Sequence, residues 1–199
     1  MIRTFIAVEL NEDLRKQIAL VQQDLQSRLG DESPKAVRLA WVQPSSIHLT
    51  MRFLGDTDEQ LLDPMREAMA TVRRSHPTIQ IPIDRLQAFP NLRQPRVLWV
   101  GPPEEWIKSD AAKQLTALHR GIESCCRSLG FVTEDKPFAP HLTLARIKAG
   151  DREVGQRLAQ SGACDRALSV GVITVGPLVL MKSKLRPTGP VYTKLWEVP

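Results

Sequence analysis

The alternation of apolar and polar positions divides the chain into short strands and amphipathic helices. Residues 2–10 (IRTFIAVEL) are rich in β-branched and apolar types and predict a strand. Over 12–29, Leu14, Ile18, Val21, Leu25 and Leu29 recur at helical spacing, with Asn11 as the N-cap and Gly30 as the stop. A polar loop over 31–35 contains Pro34. Strands are predicted at 37–42 and 47–54, joined around Pro44-Ser45-Ser46, and a second helix at 58–74 carries Pro64 in its early part. Residues 78–89 and 96–100 predict a strand pair connected by the turn-rich segment 90–95. A third helix over 108–129 ends at Gly130. A strand at 141–147, a short helix at 151–160, one or two strands within 167–184 and a closing strand at 191–198 complete the pattern.

Several of these strands follow one another with no helix between them. That favours an antiparallel α+β fold over a doubly wound parallel sheet. Neither a G-x-G-x-x-G nor a P-loop occurs, which disfavours dinucleotide and Walker-type nucleotide binding.

Composition narrows the class. The chain has 199 residues, 42% hydrophobic and 25% charged, so a sizeable core can form and wholesale disorder is excluded. No apolar run approaches the length that spans a bilayer, and the first ten residues do not read as a signal peptide. A cytoplasmic protein is the expectation, with no membrane association and no obligate protein partner. The three cysteines (Cys125, Cys126, Cys164) form no C-x-x-C pair, which argues against a disulfide framework or a structural zinc site. A net charge of +5 suits a polyanionic substrate such as RNA without requiring one.

The histidines carry the chemical signal. Two of the four begin nearly the same tetrapeptide, His48-Leu49-Thr50-Met51 and His141-Leu142-Thr143-Leu144, separated by close to half the chain. Such a repeat predicts two lobes of similar design that each give one copy to a shared cleft. Period-two alternation places His48 and Thr50 on one strand face, with Leu49, Met51 and Phe53 on the other. His141 and Thr143 likewise share a face opposite Leu142 and Leu144. Continued alternation carries Arg52 onto the face of His48, within reach of a phosphate. It puts Arg146 opposite His141, so that Arg146 reaches the groove only past a bulge. His76 and His119 lack this context and read as structural or exposed.

Two imidazoles and two hydroxyls suit phosphodiester chemistry. A neutral imidazole can take a proton from water, and an imidazolium can protonate the leaving alkoxide, both near neutral pH. Threonine hydroxyls can donate to the non-bridging oxygens. Two histidines without convincing acidic or thiol partners make a poor metal site, so neither a metal nor another cofactor is expected. Phe5, Trp41, Phe89 and Trp99 are candidates for base stacking, although core packing is the simpler role for any one of them. Lys182, Lys184 and Arg186 form a basic cluster near the C-terminus that would steer RNA or simply be solvated.

At these residues the chain resembles a known family. His48-Leu49-Thr50-Met51-Arg52-Phe53-Leu54-Gly55 and Phe138-Ala139-Pro140-His141-Leu142-Thr143-Leu144-Ala145-Arg146 match the paired H-x-T-x motifs of the two-histidine phosphoesterases. Within that superfamily the chain most resembles the RNA 2′,3′-cyclic phosphodiesterases, also called 2′-5′ RNA ligases. The likeness extends to Arg3-Thr4-Phe5-Ile6-Ala7-Val8, Trp41-Val42, Pro95-Arg96-Val97-Leu98-Trp99-Val100-Gly101, Ser183-Lys184-Leu185 and Gly189-Pro190-Val191-Tyr192.

The resemblance implies one two-lobed domain over 1–199, with two antiparallel sheets and outer helices flanking a central groove. It implies hydrolysis of an RNA or nucleotide 2′,3′-cyclic phosphate to a 2′-phosphomonoester. His48 would be the proton donor and His141 the proton acceptor, with Thr50 and Thr143 beside them. Strand facing adds Arg52 and Arg146 as candidate substrate contacts, against a solvated role for Arg52 and a structural one for Arg146. The residues themselves do not distinguish the two histidine roles. The alternatives are 2′-5′ ligation, another cyclic phosphate as substrate, or an RNA-binding module without catalysis.

Overall fold

The computed structural model describes residues 1–29, 37–134, 137–186 and 189–199. The expected stop at Gly30 and the loop over 31–35 lie outside the described residues. Ten strands are described: β1 (Ile2–Glu9), β2 (Arg38–Trp41), β3 (His48–Thr57), β4 (Ile79–Ile83), β5 (Arg85–Phe89), β6 (Val97–Gly101), β7 (Leu142–Ala149), β8 (Gly171–Val175), β9 (Leu178–Arg186) and β10 (Gly189–Val198). The helices are α1 (Glu12–Leu29), α2 (Leu62–Arg74), α3 (Glu104–Ile107), α4 (Asp110–Ser128) and α5 (Asp151–Ser161).

The strands form two four-stranded antiparallel sheets, ordered β10-β9-β1-β3 and β2-β7-β6-β5, and a separate β4-β8 ribbon. This is the expected α+β architecture. Each H-x-T strand falls in a different large sheet.

Local chemistry explains the helix ends. The Asn11 side chain accepts the Leu14 N–H at 2.8 Å, and Glu12 and Asp13 occupy the first turn of α1. Leu14, Ile18, Leu25 and Leu29 are buried along one face of that helix. Ser109 caps α4 by accepting the Ala112 N–H at 3.2 Å, so the helix expected at 108–129 begins at Asp110, preceded by the single turn of α3. The helix expected at 58–74 starts as a 3₁₀ turn, where Asp58 accepts the Gln60 N–H at 3.0 Å.

The strand expected over 78–89 is two strands. β4 pairs with β8 and β5 pairs with β6. Asp84 makes the break: its N–H donates to Gly101, its carbonyl accepts from Leu168, and its carboxylate accepts the Ser169 N–H at 2.8 Å. A residue committed to two other segments cannot continue one ladder.

Most of the core lies between the sheets and the helices behind them. Ile6, Val8, Leu49 and Met51 from one sheet and Leu98, Leu142 and Leu144 from the other join Ile18, Met65, Met69, Leu118 and Ile122 in one cluster. A second, smaller apolar cluster of Phe5, Ala7, Val179 and Met181, with Tyr192 packed on it, lies on the opposite face of the first sheet. That face carries His48.

Candidate active site

Each histidine sits at the mouth of its strand in the same local frame. His48 follows the 3₁₀ turn Pro44–Ser46, and its Nδ1 lies 2.8 Å from the Ser46 carbonyl. His141 follows Pro140, and its Nδ1 lies 2.7 Å from the Ala139 carbonyl. A carbonyl accepts only, so both Nδ1 atoms carry the proton and donate it. Among the described residues, Nε2 has no hydrogen-bond partner on either ring. That atom accepts a proton on a neutral ring and donates one on a charged ring.

Both motif strands contain a bulge at the same place. In β3, Thr50 pairs with Ala7 and Arg52 with Ile6, leaving Met51 as the extra residue. In β7, Thr143 pairs with Trp99 and Ala145 with Leu98, leaving Leu144 extra. A bulge inserts one residue and reverses the facing of those that follow. Leu49, Met51 and Arg52 are therefore buried, as are Leu142, Leu144 and Ala145. The side chains that emerge again beyond the threonines are Phe53 and Arg146.

This corrects the alternation expected for the first motif. Arg52 does not share the face of His48. It is 4% exposed, and its guanidinium pairs with Glu123 of α4 and with Glu134 at 3.2 Å. It also donates to the carbonyls of Phe53 (2.6 Å) and Val132. Phe53, expected on the core face, is 53% exposed, with its ring 6.0 Å from that of Phe5. Arg146 does emerge past a bulge, on the side of Thr143 and exposed. Its charge acts on His141 and also on Tyr192 of the other sheet.

Aromatic rings enclose both imidazoles. His48 stacks on Phe5 at 4.6 Å and meets Tyr192 edge-on at 5.2 Å. His141 meets Phe89 at 5.0 Å and Trp99 at 5.8 Å. Among the stacking candidates, Phe5 is thus a buried floor under His48, and Phe89 and Trp99 flank His141. Trp41 packs against the main core. Gly101 leaves room for Trp99: a Cβ there would lie 2.8 Å from its ring and 3.0 Å from the Pro140 carbonyl. The basic cluster points elsewhere. Lys182 pairs with Thr4 and Thr193, and Lys184 with Val191, on the face opposite Ser183 and Tyr192.

The electrostatics distinguish the two histidines. Burial holds His48 below its ordinary value near 6.5; the Ser46 carbonyl opposes this, His141 adds to it, and Glu9 favours the charged form. Glu9 stands directly opposite His48 in the β1–β3 register and is paired to Lys194 at 2.5 Å. Burial also holds His141 down, opposed by the Ala139 carbonyl, and the Arg146 guanidinium lowers it further. Beyond burial and the carbonyl, His48 feels the opposing charges of His141 and, more weakly, Glu9, whereas the charged neighbour of His141 is Arg146. Glu9, Phe53 and Tyr192 were not singled out by the motif reading. The usable signals were the single tyrosine of the chain and the matched spacing from His48 to Phe53 and from His141 to Arg146.

One cluster has metal-ligating residue types. His119, Glu123 and Glu134 bring ligand atoms within 4.8 Å of one another. The Arg52 cation already lies against both carboxylates and offsets one of their two charges. His119 stacks on Phe138 at 4.2 Å, which ties α4 to the run-in of the second motif.

A two-lobed fold with mirrored histidine strands defines a two-histidine phosphoesterase, and the comparisons place the chain more closely. The family model described as LigT like Phosphoesterase matches residues 8–99 and 106–192, and the chain belongs to that family. It is 31% identical over 194 residues to an RNA 2′,3′-cyclic phosphodiesterase of Methanothermobacter thermautotrophicus, covering 98% of this chain and 96% of that one. It is 30% identical to the protein of the same name from Archaeoglobus fulgidus, covering 97% of each. Among solved structures, Escherichia coli LigT complexed with 3′-AMP superposes with a TM-score of 0.66 at 23% identity, covering 99% of this chain and 98% of that one. Among the described residues, no helix is long and apolar enough to cross a membrane.

Proposed function

We propose that residues 1–199 act as one two-lobed domain that hydrolyses RNA or nucleotide 2′,3′-cyclic phosphates to 2′-phosphomonoesters. The observation that carries this reading is the matched pair of imidazoles, each with Nδ1 held by a backbone carbonyl and Nε2 without a hydrogen-bond partner among the described residues. Relatives that align with nearly the whole chain bear the name of that activity.

His141 acts as the base. Its Nε2 takes a proton from water as the oxygen attacks phosphorus, and neighbouring Arg146 favours the neutral ring that this step needs. The bond from phosphorus to O3′ breaks, and His48 Nε2–H delivers its proton to O3′. Glu9 partly offsets the burial and the His141 charge that disfavour the charged His48 this donation needs. Thr50 and Thr143 donate to the non-bridging oxygens, and Arg146 binds the phosphate beside them. Each turnover leaves His141 protonated and His48 neutral, and exchange with solvent resets both. Two imidazoles supply both proton transfers, so the mechanism calls for no metal ion and no other cofactor.

The test is a short RNA ending in a 2′,3′-cyclic phosphate, incubated in EDTA with wild type, His48→Ala and His141→Ala. Phosphorus NMR assigns the product. Conversion to a 2′-phosphate by wild type alone is the expected result. A strict divalent-metal requirement, a 3′-phosphate product, or binding of the RNA without turnover would overturn the reading.

A further inference from the structure

The β7 bulge that brings out Arg146 is held from behind by a polar side chain. Gln22 lies midway along α1, between the fully buried Ile18 and Leu25, and is itself 5% exposed. Its Nε2 donates to two carbonyls, Val42 at 2.8 Å and Leu144 at 2.9 Å. Leu144 is the extra residue of the bulge, and its carbonyl also accepts the Val42 N–H at 2.9 Å. One amide thus joins the end of β2 to the irregular point of β7. Burying an amide on an apolar helix face costs free energy unless its hydrogen bonds are made, so packing alone would favour a hydrocarbon here.

We propose that Gln22 is a positioning residue for Arg146: by holding the Leu144 carbonyl it fixes the β7 bulge, and with it the face on which Arg146 emerges. The proposal rests on the reading of Arg146 as a phosphate contact. A strand that loses its bulge slips by one residue, and every side chain beyond the slip changes face. Arg146 would then turn toward the helices and Ala145 toward the phosphate.

Gln22→Met keeps the side-chain length and removes both donors. Gln22→Asn keeps an amide one methylene short and is the second variant should the first fail to fold. Two measurements are made on wild type, Gln22→Met, Arg146→Ala and the double variant: kcat and KM on the cyclic phosphate, and the titration of the His141 ring by NMR. Gln22→Met should lower kcat by about tenfold with little change in KM, yet cost less than about twofold once Arg146→Ala is present. The His141 ring should titrate higher in Gln22→Met and in Arg146→Ala than in wild type, and no higher in the double variant than in Arg146→Ala.

Equal losses in both backgrounds would overturn the proposal, as would a lowered Tm with kcat and the His141 titration unchanged. A wild type that does not turn over the cyclic phosphate would instead sink the proposed function. The NMR arm then decides alone: a raised His141 titration in Gln22→Met sustains the link to Arg146, and an unmoved one overturns it.

Discussion

Replacing Arg52 with methionine should weaken the fold while leaving the chemistry in place. The guanidinium is buried against Glu123, whose side chain is 17% exposed, and Glu134, at 35%. Breaking a buried ion pair from one side costs about 3–5 kcal/mol, because the remaining charge is left in a poorly solvating site. Glu134 reaches enough water to be screened when orphaned, so the lower end applies, about 3 kcal/mol. The carbonyls of Phe53 and Val132 lose a charged donor as well. In a chain of this length such a loss lowers Tm by roughly 6–12 °C. Thermal and urea unfolding read the stability, and kcat and KM are measured well below the transition. The expected result is the full loss of Tm with kcat and KM close to wild type. Adding Glu123→Leu and Glu134→Gln to Arg52→Met should restore much of the stability, because no buried charge is then unpaired. A steep fall in kcat/KM with Tm unchanged would refute the reasoning, because it would place the guanidinium on the substrate.

Three further outcomes are expected. The pH profile of kcat/KM should be bell-shaped with both limbs on the acid side of the ordinary histidine value, since burial lowers both rings. Arg146→Ala should raise His141 and move the acid limb to higher pH, and Glu9→Gln should lower His48 and move the alkaline limb to lower pH; limbs that stay fixed in both variants would contradict the role assignment. Thr143→Val, which keeps shape and removes the hydroxyl, should lower kcat by about 10- to 100-fold without moving Tm, on the scale of losing one preorganised donor; an unchanged kcat would remove Thr143 from the site. Gly155→Ala should lower stability by about 1–3 kcal/mol in urea unfolding, because the added carbon meets the backbone carbonyls of Leu92 and Arg93; an unchanged midpoint would mean that α5 and this loop are not in close contact.

How far the site could be read in advance is seen at its arginines. Alternation is a local rule, and it holds from His48 to Thr50 and from His141 to Thr143. It fails two residues later in each strand, at Arg52 and Ala145, because bulges at Met51 and Leu144 shift the register against β1 and β6. Nothing in the tetrapeptides announces a bulge. The information lies in the partner strands and in the groups behind, among them Gln22 hydrogen-bonded to Leu144 from 122 residues away. The same limit explains the strand expected over 78–89. Its apolar pattern is continuous, while its two halves answer to different partners.

The sequence by itself determined most of the secondary elements, the antiparallel α+β class and the two histidine–threonine pairs. These follow from short-range periodicity and from residue types repeated at a recognisable spacing. Tertiary structure alone decided which arginine emerges on the face of its histidine–threonine pair, which one is locked between Glu123 and Glu134, and which histidine has an acid beside it and which an arginine. Facing and charge environment depend on cross-strand register and on groups far apart in the chain, and the physical reason is that one inserted residue reverses a strand's faces while leaving its composition unchanged.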